Sequence, residues 1–489
     1  MKIISLQKIL TLLLIGGSLL VTTSCDEDRL DQEPDYAMPL SSVDSETDLG
    51  GVINGMYDQA SQVNAFGARI SILGDLISDN TFISSVNSGR YIVTNTMSWT
   101  VANSDGEFGQ IRALNGIVAL ANLAINAEIS DFTSQSTVNN LKGEAYIGRG
   151  LAYFYMVNFY SSNPTSGQYQ EYGVPIYTGP YNPDYKGPRN TVDEVYDQVI
   201  SDLTTALNLM TNETPANKGH LSPTAARLLL SRVYLTRGKA GDYDLALQYA
   251  NQVINSAHAG SFDFINSSNY VNYFSSTDTN DTENQDETVW EVNMTAADNP
   301  GTNEALGALY PSNGSQKCIL FKQDFVDSFS ANGASDVRAL LFGNQGPADD
   351  IPRGVFTKKW PRSTSEGNFT INVKILRMSE AKLNRIEALY RLGQTTTALT
   401  ELNNFASTRG GNTYTGSDLL NDILTERRKE FFAEGQRFFD LKRNNLPIIK
   451  TMNCESNCET PADNRRFVFP MPILEMTQNT LMTQHPLWQ

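Results

Sequence analysis

Reactive side chains are few in this chain of 489 residues: four cysteines and three histidines. Cys25 stands where an apolar run, Leu19-Leu20-Val21, passes through Thr22, Thr23 and Ser24 and meets the acidic Asp26-Glu27-Asp28. Its thiol is a strong nucleophile once deprotonated. Cys454 and Cys458 are separated by Glu455-Ser456-Asn457, and that spacing suits either a small disulfide loop or half of a metal site. No second Cys or His pair lies nearby to complete a zinc set. His220, His258 and His485 are far apart and fit no metal-ligand or triad spacing. There is no G-x-S-x-G, H-E-x-x-H, P-loop or dinucleotide glycine fingerprint. Asp278, Asn280 and Asp281 offer hard oxygens as a calcium loop does, but Glu283 stands where an EF-hand needs Gly and Val289 where it needs Glu. A solvated acidic loop is the expectation there. Neither a metal nor a cofactor is expected.

Cys25 is explained by what precedes it. Lys2 and Lys8 precede an apolar run from Ile9 to Val21, shorter than the roughly 20 residues that cross a bilayer but suited to a secretory signal peptide. The small-residue lead-in resembles the lipobox of bacterial lipoproteins, although Val21 replaces the commoner Leu and Ser24 the commoner Gly or Ala. Residues 1–24 are therefore expected to be a signal peptide and Cys25 the lipid attachment site. Each acyl methylene would contribute about 0.8 kcal/mol of membrane affinity. In an exported chain, Cys454 and Cys458 are expected to form a disulfide, and the leftover Cys318 to be buried.

Without the leader the chain would carry 35 cations against 54 acids, a formal charge of −19. Such a surface repels phosphate backbones, so no nucleic-acid partner is expected. With 40% hydrophobic residues, 21 Tyr and 22 Phe, the composition is that of a large globule.

The frame that must position any site is helical. Leu49, Val52, Ile53, Met56 and Tyr57 recur at three and four after Ser45 as cap, and Phe108, Ile111, Leu114, Val118, Ala121 and Ile125 repeat the pattern. Residues 141–160 form an aromatic-rich helix, and Thr191-Val192-Asp193-Glu194 is a capping box opening the next. Two stretches read as copies of one unit: 222–254, broken at Gly238, and 378–405, broken at Gly393. Both resemble tetratricopeptide helix pairs. Segments 49–63 with 108–129, and 141–160 with 191–209, are looser candidates. The expected fold is mainly α, a superhelical scaffold of such pairs with long irregular insertions and a few short strands, among them Thr288–Val292. One domain over 25–489 is expected, with an N-terminal part (25–210) and a C-terminal part (211–489) carrying the insertion 259–372. Long irregular loops on a helical frame are the usual place for recognition.

At "ILTERRKEFFAEGQRFFDLKR", Ile423 to Arg443, the chain resembles the C-terminal signature of the SusD/RagB family of outer-membrane nutrient-binding lipoproteins. In order with it come "LKGEAYIGRGLAYFYMVNFY" (141–160), "GVPIYTGP" (173–180), "NTVDEVYDQVISDLTTAL" (190–207) and the closing "FVFPMPILEMTQNTLMTQHPLW" (467–488). Met471, Met476 and Gln436 depart from the usual pattern. The resemblance implies a lipid-anchored, surface-exposed outer-membrane protein that binds glycan and passes it to a SusC-like TonB-dependent transporter, with no chemistry on the ligand. A surface glycoside hydrolase, which needs only two carboxylates, and a peptide- or protein-binding adaptor are the alternatives. The signature itself reads as structure: one packed helix whose acids and bases pair three and four apart, its aromatics buried.

A pyranose needs a flat aromatic platform beside amide, carboxylate or guanidinium hydrogen-bonders. Four rings in irregular segments are candidates: Tyr91 after Asn87 and Arg90, Trp99 near Asn95 and Asn103, Tyr310 near Asn303 and Asn313, and Trp360 near Lys358 and Arg362. The resemblance favours the loops before the 108–129 helix and the region 290–330, so Trp99 and Tyr310 lead. Core packing is the competing use of every one of them.

Overall fold

The computed structural model describes residues 43–255, 261–363 and 368–489; Cys25 and its leader lie outside the described residues. From Asp44 to Gln489 the chain forms one compact unit. Helix accounts for 49% and strand for 7%, a mainly helical fold as the periodicity requires.

Caps decide where the helices begin. Helix α1 (Glu46–Ser61) opens at Ser45, whose hydroxyl accepts the Asp48 N–H at 3.1 Å. After the short α2 (Arg69–Leu76), α3 (Gln110–Asn126) leads to α4 (Gln135–Tyr160), which begins earlier than its apolar pattern because Ser134 caps it. At the start of α5 (Val192–Leu209), Thr191 Oγ1 accepts the Glu194 N–H at 3.2 Å and the Glu194 carboxylate accepts the Thr191 N–H at 2.8 Å, the reciprocal box expected there. Ser222 caps α6 (Pro223–Arg237), and Gly238 at φ +63° turns the chain toward α7 (Asp242–Asn255). Gly393 at φ +77° does the same between α8 (Met378–Arg391) and α9 (Thr395–Thr408). Helices α1, α3, α4, α5, α6, α7, α8 and α9 each pack on the next, so both repeat copies and both looser pairs join one stack. The stack buries its apolar stripes between neighbours, as repeat architectures do.

The insertion between α7 and α8 is less irregular than its sequence suggests. It leaves and re-enters the stack through an antiparallel pair, β2 (Thr288–Val292) with β6 (Val373–Arg377), both wholly buried. A second sheet, in the order β1 (Thr81–Ile83), β3 (Ile319–Phe321), β5 (Val355–Thr357), β4 (Phe342–Gln345), joins the insertion to the segment after α2. Much of the insertion's aromatic content is core: Phe342 stacks on Phe432 with centroids 4.7 Å apart, and Phe321 meets the same ring at 5.5 Å. A last two-residue pairing, β7 (Ile448–Ile449) with β8 (Glu459–Thr460), frames the disulfide that joins Cys454 to Cys458. Cys318 is free and buried, and burial pushes its thiol up to about 12.

The signature segment is two helices, not one. Helix α10 (Leu419–Glu430) ends, the chain turns through Ala433 at φ +60° and Gly435 at φ +75°, and α11 (Arg437–Arg443) follows. The turn packs directly on α2: a Cβ on Gly74 would lie 1.8 Å from the Gly435 carbonyl oxygen. Its charges do pair, but mostly with partners far along the chain. Glu430 meets Arg338 at 3.3 Å, Arg377 at 3.2 Å and Arg409 at 3.2 Å. Arg338 also holds Asp336 and Glu426, each at 2.7 Å, while Arg377 holds Glu287 at 2.8 Å and Glu434 at 2.7 Å. All of these side chains are buried. Three arginines around Glu430 hold its carboxyl far below the usual carboxylate range despite burial.

Candidate ligand-binding site

All four rings singled out as sugar platforms are interior: Tyr91 is 2% exposed, Trp99 0%, Tyr310 0% and Trp360 2%. None offers a face to a ligand in this structure, and each has a structural task that explains its burial. Trp99 packs on Phe108 at 4.9 Å with the Arg466 guanidinium 4.9 Å from its ring. Trp360 donates from Nε1 to the Ala433 carbonyl at 2.7 Å, fastening the insertion to the signature turn. The Tyr310 hydroxyl donates to Asp75 at 3.2 Å, and burial raises that carboxyl to about 8. Tyr91 donates to Glu304 at 2.6 Å.

That last bond leads to a polar surface built from two of the loops favoured above. The loop after β1 turns on Asn87, whose Oδ1 accepts the N–H groups of Gly89 at 2.6 Å and Arg90 at 2.9 Å. The turn carries Arg90 to the loop 299–316, where Nη1 donates to Glu304 at 3.0 Å and Nε to Gln316 Oε1 at 3.1 Å. Ser88 Oγ donates to the same Gln316 oxygen at 3.3 Å, and Gln316 Nε2 donates to Asn303 at 3.0 Å. Two segments far apart in sequence thus present one patch of guanidinium, carboxylate, amide and hydroxyl groups. Ser88 and Asn303 are exposed, and Arg90, Glu304 and Gln316 are partly so. Tyr91 lies beneath the patch as its support, its hydroxyl pushed well up by burial and by Glu304. Such a mixed donor and acceptor surface is chemically suited to hydroxyl-rich ligands.

The exposed aromatic surface lies elsewhere, in the loop 173–190. Tyr177 and Tyr185 stack with centroids 4.2 Å apart, and Tyr185 and Tyr181 are among the exposed large side chains. The loop is fixed from below, where Asn122 on α3 donates to the Tyr177 carbonyl at 2.9 Å and Tyr153 on α4 donates to the same oxygen at 2.9 Å. Three tyrosines spaced four apart among Pro and Gly were the signal for it. Among the described residues, no group of three or more His, Cys, Asp or Glu side chains is placed to hold a metal ion. The acidic loop at 278 is a short helix, Thr279–Thr282, whose cap Asp278 accepts the Asn280 N–H. No helix among the described residues is long and apolar enough to cross a membrane.

A stack of helix pairs carrying a polar loop patch defines a class, the repeat-scaffold binding protein. Comparison with known proteins narrows it. A family model described as "Starch-binding associating with outer membrane" matches residues 28–235, and the SusD family model matches residues 248–488. A SusD-like protein of Bacteroides ovatus is 24% identical over 364 residues, 66% of this chain and 63% of that protein's own length. Solved SusD superfamily proteins from Bacteroides vulgatus and Bacteroides thetaiotaomicron superpose with a TM-score of 0.80 at 26% and 25% identity, covering 91% and 90% of this chain and 100% of each of theirs. The chain belongs to the SusD/RagB family, whose members bind ligand and are not catalysts.

Proposed function

We propose that this protein is a glycan-binding lipoprotein of the outer-membrane surface, anchored through Cys25, that delivers oligosaccharide to a SusC-like TonB-dependent transporter. The observation that carries the binding half is the patch joining Ser88 and Arg90 to Asn303, Glu304 and Gln316, on a chain whose N-terminal part matches a family described as starch-binding and associated with the outer membrane. The patch supplies charge-assisted donors and carboxylate acceptors, which bind hydroxyls more strongly than neutral groups do. The anchor rests on the leader and the lipobox-like lead-in to Cys25. The transporter rests on family membership, with the long helical stack as the surface for it. A division into two parts at 210 belongs to the same proposal; the first family model runs past that position to 235.

The test is affinity electrophoresis and calorimetry of the purified protein against a panel of soluble glycans. Binding of at least one glycan is expected, with no new reducing ends. Arg90→Ala should weaken that binding by about tenfold, the worth of a charged hydrogen bond, with an unchanged Tm. Glycan binding insensitive to Arg90→Ala would remove the patch from the site, and absence of binding across the panel would overturn the reading.

A further inference from the structure

On the side of the fold where α4 ends, α11 ends and the C-terminal tail returns, there is a cavity of about 320 Å³. Its size falls at the lower end of small-molecule sites. The walls come from three separate stretches, within residues 162–169, 442–445 and 462–468, together with Leu487, and they are layered by chemistry. Phe467, Val468 and Leu487 supply an apolar floor. Beside it is a locked amide network: Asn163 Nδ2 donates to the Lys442 carbonyl at 2.7 Å and to Asn445 Oδ1 at 2.9 Å, and Asn445 Nδ2 donates to Thr165 Oγ1 at 3.0 Å.

Around that base the lining changes character. Among the described residues, the side chains of Gln168 and Asp463, the Tyr169 hydroxyl and the Asn464 amide nitrogen have no hydrogen-bonding partner within the protein, although all four residues line the cavity. Tyr169 is half-buried at φ +54°, a left-handed backbone that a non-glycine residue adopts at a cost. Its ring is braced by the edge of His485, with centroids 5.1 Å apart. The lining's cation, Lys442, is occupied, its ammonium donating to the Ser161 carbonyl at 2.7 Å and to the Asn158 carbonyl. No cation is therefore left free in the lining to meet an anionic ligand, whereas an aromatic ring, an apolar floor and four free polar groups match the C–H face and hydroxyl rim of a neutral sugar.

We infer that this cavity is a second carbohydrate site, taking one neutral pyranose unit between Tyr169 and the Phe467–Val468 floor, with Gln168, Asp463 and Asn464 on its hydroxyls. The ligand class rests on the glycan reading given above; the site itself rests on the cavity. It is separate from the patch around Arg90, with which it shares no residue.

The experiment is saturation-transfer NMR of the full-length mature protein with methyl α-glucopyranoside, methyl β-galactopyranoside and methyl β-xylopyranoside, and with glucuronate as the charged counterpart. A signal is expected from at least one neutral glycoside and none from glucuronate. In Arg90→Ala protein, where the first patch is disabled, Thr165→Trp, at an exposed position on the cavity wall, should abolish it, and Asp463→Ala should weaken it about tenfold. Absence of signal from all three neutral glycosides overturns the inference, as does a signal that survives both substitutions. Polymer binding with no glycoside signal overturns this site alone. Glycoside binding without any polymer binding supports this site and overturns the polysaccharide receptor instead.

Discussion

Replacing Glu430 by glutamine isolates the charge at the centre of the signature segment, because the two side chains match in volume and the site is wholly buried. The cost can be apportioned among the three guanidiniums that meet it. Arg338 keeps Asp336 and Glu426, and Arg377 keeps Glu287 and Glu434. Arg409 keeps only neutral acceptors, the Ile265 carbonyl at 2.8 Å and Ser379 Oγ at 2.9 Å. One buried cation is thus left without a counter-charge, for which the expected penalty is about 3 kcal/mol, the low end of the range for breaking a buried pair. Against a typical stability of about 5–15 kcal/mol, that shift is large. Urea unfolding followed by fluorescence of the buried tryptophans measures it. In a double-mutant cycle with Arg409→Met the two changes should couple by at least about 1 kcal/mol, since each removes the same contact. The sign with pH follows from the depressed carboxyl: its contribution is complete above the unfolded glutamate pKa of about 4.3 and is lost as pH falls below that value. The variant should therefore lose stability less steeply in acid than the natural protein. A midpoint within experimental error of the natural protein's, or strictly additive single changes, would refute a charge-centred core.

Other perturbations test other parts of the molecule. Cys25→Ala should leave the far-ultraviolet spectrum and Tm unchanged while moving the protein from the detergent to the aqueous phase on partitioning; a variant still membrane-bound and acylated would reject the anchor. Opening the small loop with Cys454→Ser and Cys458→Ser should cost about 2 kcal/mol by loop-closure entropy, read as a lowered Tm; a loss several times larger would mean that the loop's bonds from Ser456 and Asn457 to the Thr96 carbonyl depend on it. Burial, with Arg189 and Lys442 nearby, pulls the His485 ring down to about 3. The native state keeps it neutral while the unfolded chain protonates it below about 6.5, so stability should fall as pH drops through that window. His485→Gln should flatten the slope between pH 6.5 and 5 in chemical denaturation; an unchanged slope would assign it to other groups.

Helix pairing was legible because its signals are local. Ser45, Thr191 and Ser222 sit where a cap must be, Gly238 and Gly393 where a left-handed turn must be, and the apolar stripes between them have one period. The break inside the signature was not legible at Ala433, an alanine in a conformation usually left to glycine, whose carbonyl takes the Trp360 N–H from far along the chain. Nor could the sequence assign the four candidate rings. An aromatic beside asparagines in a loop looks the same whether its hydroxyl or indole nitrogen meets a sugar or, as for Tyr91 and Trp360, a buried protein oxygen. Arg90 and Gln316, both within the favoured stretches, meet only through the fold, which no local pattern in the sequence shows. The cavity bounded by Asn163, Asn445 and Asn464 is not legible in the sequence because its walls become neighbours only after folding.

The backbone contact between Gly74 and Gly435 has a bearing on how sequences like this one can diverge. At Gly143 and Gly148 an added methyl group would meet the flexible side chains of Met210 and Met56, but here each glycine faces main chain, with Ser71 and Ile70 against Gly435 and the Gly435 peptide against Gly74. Main chain cannot step aside without prising α2 off the α10–α11 corner. The crossing therefore works as a rivet through the protein: any side chain at either position would have to displace main chain, so the pair is expected to tolerate substitution less than glycines that face only side chains.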